Sequence, residues 1–126
     1  MTNENGKIIL IVEDEPSIVL PLKFLMEQHG FAVLVAETGE AAIDRVNETI
    51  PDLILLDIML PVLDGFEVCQ IIRNRSELDN TKVVFLTAMG RDVDIAKGLA
   101  LGANDYVTKP FSNSDIVEKV KGFLCE

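Results

Sequence analysis

Short aliphatic runs alternate along this chain with stretches in which apolar residues recur every three or four positions. Five runs read as strands: Ile8–Val12, Ala32–Ala36, Leu53–Leu56, Val83–Leu86 and Ala103–Val107. The first, third and fourth are continuous aliphatic blocks, as expected of strands buried on both faces. The intervening stretches have helical period. The first helix is expected to start near Pro16, a residue suited to a first turn. Its apolar stripe is Ile18, Leu22, Leu25 and Met26, and Gly30 ends it. Pro21 falls inside it, removes a backbone donor and is expected to kink it. The second helix opens at Thr38 and turns Ala42, Ile43, Val46 and Ile50 inward. The third opens at Asp64 with Glu67 at capping-box spacing and a stripe of Val68, Ile71 and Ile72. The fourth runs from about Arg91 to Leu101 and stops at Gly102. The fifth follows Ser112, with Asp115 as the acid reaching back, and carries Ile116, Val120 and Phe123.

Five repeats of strand then helix imply an α/β fold: a parallel sheet, covered on both faces, with right-handed crossovers. At 126 residues the chain fits one domain spanning 1–126. Ligands in such sheets sit beyond the carboxyl ends of the strands. The informative residues are therefore those that follow each strand. Glu13, Asp14 and Glu15 follow the first, Asp57 the third, Thr87 and Ala88 the fourth, and Lys109 with Pro110 the fifth. If the three most apolar strands are neighbours, these polar ends converge.

Carboxylates from different strands repel one another unless a cation or protons intervene. A few hard oxygen donors suit Mg2+, which keeps several waters and accepts phosphate oxygens. A carboxylate is also a nucleophile toward phosphorus. That chemistry needs charge neutralisation, a cation on the phosphoryl oxygens and a nearby hydroxyl. Mg2+, Lys109 and Thr87 would supply all three, and Mg2+ with Lys109 balances the charge of Glu13, Asp14 and Asp57. Plainer readings exist for most of these residues. Glu15 suits a helix N-terminal dipole, Thr87 a strand end, and Lys109 a solvated surface. Tyr106 suits half-buried packing with a wet hydroxyl, and His29 a helix end. Asp57 resists such a reading, because it sits inside the most apolar segment and an unpartnered buried charge is disfavoured.

The segments IILIVEDE, PDLILLDIMLPVLDG, VVFLTA and GANDYVTKPF, in this order and spacing, resemble the receiver domains of two-component response regulators, the CheY-like family. The resemblance covers about Lys7 to Leu124. It implies a flavodoxin-like, three-layer sandwich, doubly wound with strand order 2-1-3-4-5. It also implies a phosphorylation-dependent signalling switch that catalyses only its own phosphorylation and dephosphorylation. Asp57 matches the phosphoacceptor. Asp14 matches the direct Mg2+ ligand, Glu13 its neighbour acting through metal-bound water, and the Met59 carbonyl completes the set. Mn2+ is an alternative to Mg2+. Thr87 matches the switch hydroxyl, Ala88 leaves room for the phosphoryl group, and Lys109 matches the lysine that pairs with a phosphoryl oxygen. A cis Lys109–Pro110 bond would aim that lysine at the site. Tyr106 matches the aromatic switch, Gly65 suits a tight turn, and Gly90 would let the loop before the fourth helix move. Glu13 stands where Asp is more usual. Met59 and Met89 are expected to shield the site and lengthen the phosphorylated state.

The implied partners are a histidine kinase or phosphotransfer protein and an output domain or target. The target would be met on the face of the fourth helix, fifth strand and fifth helix. That face also offers a homodimer contact, with Asp94, Lys97, Glu118 and Lys119 as candidate charges. Composition narrows the field further. Acids outnumber bases 21 to 11, giving a net charge of −10, which opposes direct binding to nucleic acid. The longest apolar stretch, Leu53 to Leu63, is broken by Asp57 and Pro61. It is shorter than the ~20 residues a membrane span needs. With no signal-peptide pattern at the N-terminus, a cytoplasmic location is expected. Cys69 and Cys125 are then free thiols. A haloacid-dehalogenase-like phosphatase would want an acid where Met59 stands. A receiver degenerated to an interaction module would have lost Asp14, Asp57 or Lys109. An FMN binder would not place acids after its first strand.

Overall fold

The computed structural model describes residues 6–88 and 92–124. Among them, five strands alternate with five α-helices in the order β1 (Ile8–Val12), α1 (Pro16–Gln28), β2 (Ala32–Ala36), α2 (Gly39–Glu48), β3 (Leu53–Asp57), α3 (Gly65–Arg73), β4 (Lys82–Thr87), α4 (Asp92–Ala100), β5 (Asp105–Thr108) and α5 (Asn113–Leu124). A 3-10 turn, Ser76–Leu78, joins α3 to β4. All strand pairs are parallel, in the order β2-β1-β3-β4-β5.

The three aliphatic strands are neighbours at the centre, as their composition implies. In register, Ile11 lies between Val35 and Leu55, and Val12 between Ala36 and Leu56. Successive strand residues point to opposite faces, so each strand feeds two cores. Leu10, Val12, Ile54, Leu56, Val83 and Phe85 pack against α2 and α3. Ile9, Ile11, Leu53, Leu55, Val84 and Leu86 pack against α1 and α5 through Leu22, Met26, Ile116 and Val120. Each such side chain contributes roughly 1.5–3 kcal/mol by leaving water.

Helix ends follow local chemistry. Asp64 and Glu67 form the expected capping box around the start of α3. The Thr38 hydroxyl accepts from the Ala41 amide at the start of α2, and the Ser112 hydroxyl accepts from the Asp115 amide at the start of α5. Gly30 and Gly102 adopt φ of 90° and 109°, the left-handed conformation that a Schellman helix end requires. The motif closes with Phe31 N–H on the Met26 carbonyl and with Ala103 N–H on the Gly98 carbonyl.

Several expectations shift. β3 extends to include Asp57, and β4 gains a residue at each end. β5 starts at Asp105 rather than Ala103, because the Ala103 amide is spent on closing α4. Val19 joins the buried stripe of α1, with Ile18 and Leu25 half-buried beside it. Cys69, not Ile71, completes the buried stripe of α3, and Ile71 is exposed. Ile50 is exposed too, since α2 stops at Glu48 and Thr49 is extended. α1 runs through Pro21 without a break. Pro21 is on the exposed side, where water can serve the carbonyl that lost its donor. α4 ends with Leu101 as its cap residue, and Arg91 lies outside the described residues. Among those residues, no helix is long and apolar enough to cross a membrane.

Candidate functional site

The site forms at the carboxyl edge of the central strands. β1 delivers Glu13 and Asp14, β3 ends on Asp57, and β4 ends on Thr87. Glu13, Asp57 and Thr87 are buried, while Asp14 is exposed. Carboxylate oxygens of Glu13, Asp14 and Asp57 all lie within 4.8 Å of one another. Register explains the convergence. Val12 and Leu56 are partners, so the next residue of each strand emerges at the same level. Asp57 in turn pairs with Leu86, one residue before Thr87.

Lys109 reaches this cluster from the far end of β5. The Lys109–Pro110 peptide is cis, as expected. The Lys109 amide donates to the Thr87 carbonyl at 2.7 Å. Its Nζ donates to Glu13 Oε1 at 2.7 Å and to Asp57 Oδ1 at 3.3 Å. The lysine therefore bridges two strands and sits closer to Glu13 than to Asp57. Sequence reasoning missed the Glu13 contact. The two residues are 96 positions apart, and the resemblance directs Lys109 to a phosphoryl oxygen instead. Two backbone donors were also missed. Met59 N–H donates to Asp57 Oδ1, and Glu15 N–H to Glu13 Oε2, each at 3.3 Å. Both lie two residues past the acid they serve.

The electrostatics follow from burial. Burial pushes the Glu13 carboxyl above its ordinary value; the hydrogen bond from Lys109 opposes this and the charge of Asp57 adds to it. Burial alone would depress the Lys109 ammonium. The hydrogen bond to Glu13 and the charge of Asp57 outweigh it, so Lys109 holds its proton above the usual lysine range.

Asp57 also meets a steric partner. A Cβ on Gly65 would lie 2.3 Å from the Asp57 carbonyl oxygen, and the Gly65 amide donates to the Ile58 carbonyl. The loop between carries Val62 at φ 68°, with Leu63 N–H on the Pro61 carbonyl. That γ-turn is strained for a β-branched residue. The Met59 side chain is exposed at the loop's edge. A cleft of about 650 Å3 opens beside the acids, lined by Asp14, Met59, Phe66, Thr87, Asp94 and Lys97. Met59 thus flanks the site, while Met89 and Gly90 lie outside the described residues.

Ala88 is exposed next to Lys109 along a second groove. Tyr106 is half-buried on β5, and Lys119 Nζ lies 5.6 Å from its ring centre and 2.9 Å from Asp105 Oδ2. Between Tyr106 and Thr87 lies a cavity of only about 10 Å3, closed by Ile95 and Leu99 of α4. Cys69 is a buried free thiol, and burial raises its pKa. Cys125 lies outside the described residues.

Three carboxylates, one of them solvent-facing, form a hard oxygen donor set that fits a divalent cation. The family model for the response regulator receiver domain matches residues 9–121. The chain is 44% identical over 119 residues to the alkaline phosphatase synthesis transcriptional regulatory protein PhoP of Bacillus subtilis, covering 94% of this chain and 49% of that protein. It spans about half the length of the curated relatives it matches. A putative response regulator from Chloroflexus aurantiacus superposes with a TM-score of 0.90 at 30% identity, over 96% of this chain and 99% of the other. The receiver domain of the sensor histidine kinase PA1611 from Pseudomonas aeruginosa superposes with a TM-score of 0.87 at 29% identity, over 96% and 99%. That structure holds a magnesium ion coordinated in its active site cleft.

Proposed function

The chain belongs to the response regulator receiver domain family, and from that premise we propose that it is the phosphorylation-operated switch of a two-component system or phosphorelay, with Asp57 as the phosphoacceptor. One observation carries the reading. Asp57 is a buried carboxylate held by a lysine and faced by two further acids, at the edge of an open cleft. A purely structural acid would not require two more acids beside it.

The roles follow from position. The Lys109 ammonium and the Met59 amide hold one oxygen of Asp57, leaving the other to attack. A Mg2+ ion held by Asp14, Asp57 and the Met59 carbonyl, with Glu13 at its margin, would neutralise the acids and draw charge from the phosphoryl oxygens; Mn2+ prefers the same donors. Asp57 forms the new O–P bond while the P–N bond of a phosphohistidine breaks. The electron pair leaves with the imidazole nitrogen, which takes a proton. Lys109 then follows the incoming dianion, and Thr87 with the Ala88 amide would receive its other oxygens. The chain thus promotes its own phosphorylation and its reversal, and the product is an altered surface.

Tyr106 would report that change. The space behind it holds barely one water, so an inward ring requires α4 to give way. The output partner would read the α4–β5–α5 face, which also offers a homodimer contact through Asp94, Lys97, Glu118 and Lys119. A kinase or phosphotransfer protein supplies the phosphoryl group, and an output domain or separate target receives the signal. The net charge of −10 argues against direct contact with nucleic acid. One receiver domain over residues 1–126, in the cytoplasm, completes the reading.

Intact mass after incubation with acetyl phosphate tests it. The chain should gain a single phosphoryl group, dependent on Mg2+, and Asp57→Asn should gain none. An adduct that survives Asp57→Asn, or no adduct on a folded chain, would overturn the assignment.

A further inference from the structure

Arg73, in the last turn of α3, uses its guanidinium far from the acids. Nε donates to the Gly102 carbonyl at 2.8 Å and Nη1 to the Leu78 carbonyl at 3.0 Å. Nη2 donates to the Thr81 carbonyl at 2.7 Å and to Asn104 Oδ1 at 3.0 Å. The same Asn104 oxygen accepts from the Val83 amide. All four acceptors of Arg73 are neutral. They belong to the 3-10 turn, the residue before β4, and the connection from α4 to β5. Only a planar fork with several fixed donors can serve so many at once.

The connection from α4 is also held in other ways. Cys69, one turn back on the same face of α3, has its thiol 3.8 Å from the Leu101 carbonyl. Gly102 has φ 109°, and a Cβ there would lie 2.6 Å from Arg73 Cγ. A cation beyond the carboxyl end of α4 also meets the negative pole of that helix. Elsewhere α4 is lightly packed. From Val93 to Ala100 only Gly98 is buried, against the Phe85 ring. Ile95 and Leu99 of α4 close the small cavity behind Tyr106.

We infer that Arg73 fixes the carboxyl end of α4, so that the displacement admitting Tyr106 is a rotation about that end rather than a translation of the whole helix. The inference rests on the switch reading above. Arg73 is a positioning residue, because it touches neither the acids nor Tyr106.

Hydrogen exchange tests it, on the wild type with and without Mg2+ and fluoroberyllate, and on Arg73→Met and Arg73→Lys. The amides of Leu101, Gly102, Ala103 and Asn104 are all hydrogen-bonded, so their protection is measurable. In the wild type it should stay constant on fluoroberyllate binding, while protection nearer the start of α4 changes. In Arg73→Met without ligand, exchange of these four amides should speed about tenfold, the equivalent of one lost hydrogen bond to a charged group. Amides of β1 and β3 should change less than about threefold. Fluoroberyllate should then alter protection at residues 101–104 of the variant, and Arg73→Lys should restore part of it. Equal acceleration in β1 and β3 would reduce Arg73 to a general stabiliser and overturn the inference. So would a wild-type change at residues 101–104 on fluoroberyllate binding. Failure of fluoroberyllate to bind would sink the phosphoacceptor reading instead, and the ligand-free comparison would still decide for or against the anchor.

Discussion

Replacing Lys109 by Met keeps most of the side-chain volume and removes the one cation seen between Glu13 and Asp57. At an effective dielectric of about 20, the lost attractions are about 6 kcal/mol at 2.7 Å and about 5 kcal/mol at 3.3 Å. The observed deficit should be much smaller, because the folded chain can escape by protonating one acid. Glu13 is the acid that burial already pushes upward. Protonating a carboxyl of ordinary pKa 4.5 at pH 7 costs about 3.4 kcal/mol, from about 1.36 kcal/mol per pH unit, and that bounds the penalty. The sign follows. In Lys109→Met the folded state holds a proton that the unfolded state has released. Its stability is fully present below pH 4.5 and falls as pH rises, until the folded pKa is passed. Denaturant unfolding at pH 4.5 and pH 7 should therefore show a deficit relative to the wild type of about 3 kcal/mol at pH 7 and near zero at pH 4.5. A deficit of equal size at both pH values would refute the electrostatic account and leave only lost packing.

Mg2+ should stabilise the wild type by about 2.7 kcal/mol at a hundredfold excess over its dissociation constant; a thermal-shift titration should show this gain abolished in Asp14→Ala. Gly65→Ala places a methyl 2.3 Å from the Asp57 carbonyl and should destabilise by roughly 2–3 kcal/mol or more. Its acetyl-phosphate labelling, followed by mass, should fall even where the chain is folded, since the acceptor strand must shift. Val62→Gly should stabilise by about 1 kcal/mol in denaturant unfolding, because Val62 is held at φ 68° and exposed, and glycine adopts that conformation without strain. An unchanged midpoint would mean that the γ-turn is not populated in solution.

Much of this was legible because the signals were local. The change of apolar period marked every strand, and the Asp64–Glu67 spacing marked the start of α3. The aliphatic density of β1, β3 and β4 placed them together, which brought Glu13, Asp14 and Asp57 to one edge. What was not legible depended on distance or on finer geometry. The Glu13–Lys109 contact joins β1 to the far end of β5, and no local pattern encodes it. Arg73 carries no local signal of its role, since its four acceptors come from segments that meet only in the fold. Cys69 took the place of Ile71 in the core because Gly65, Val68, Cys69 and Ile72 share one face of α3 at helical spacing, and ranking by hydrophobicity favoured the isoleucine beside that face. Val62 carried no sign of its positive φ, because valine is among the residues least suited to it.

Tyr106 is the only tyrosine of the chain, which contains no tryptophan. Its emission therefore comes from one ring, and that ring lies at the edge of the cavity behind it and near the Lys119 ammonium. If Tyr106 switches as proposed, the molecule carries a built-in optical reporter at the side chain whose inward and outward arrangements would differ. A titration read by intrinsic tyrosine emission follows this one side chain without a label, in the unmodified chain. Such a signal separates occupancy of the acidic cluster from the response of the α4–β5–α5 face, two events that a mass measurement counts as one.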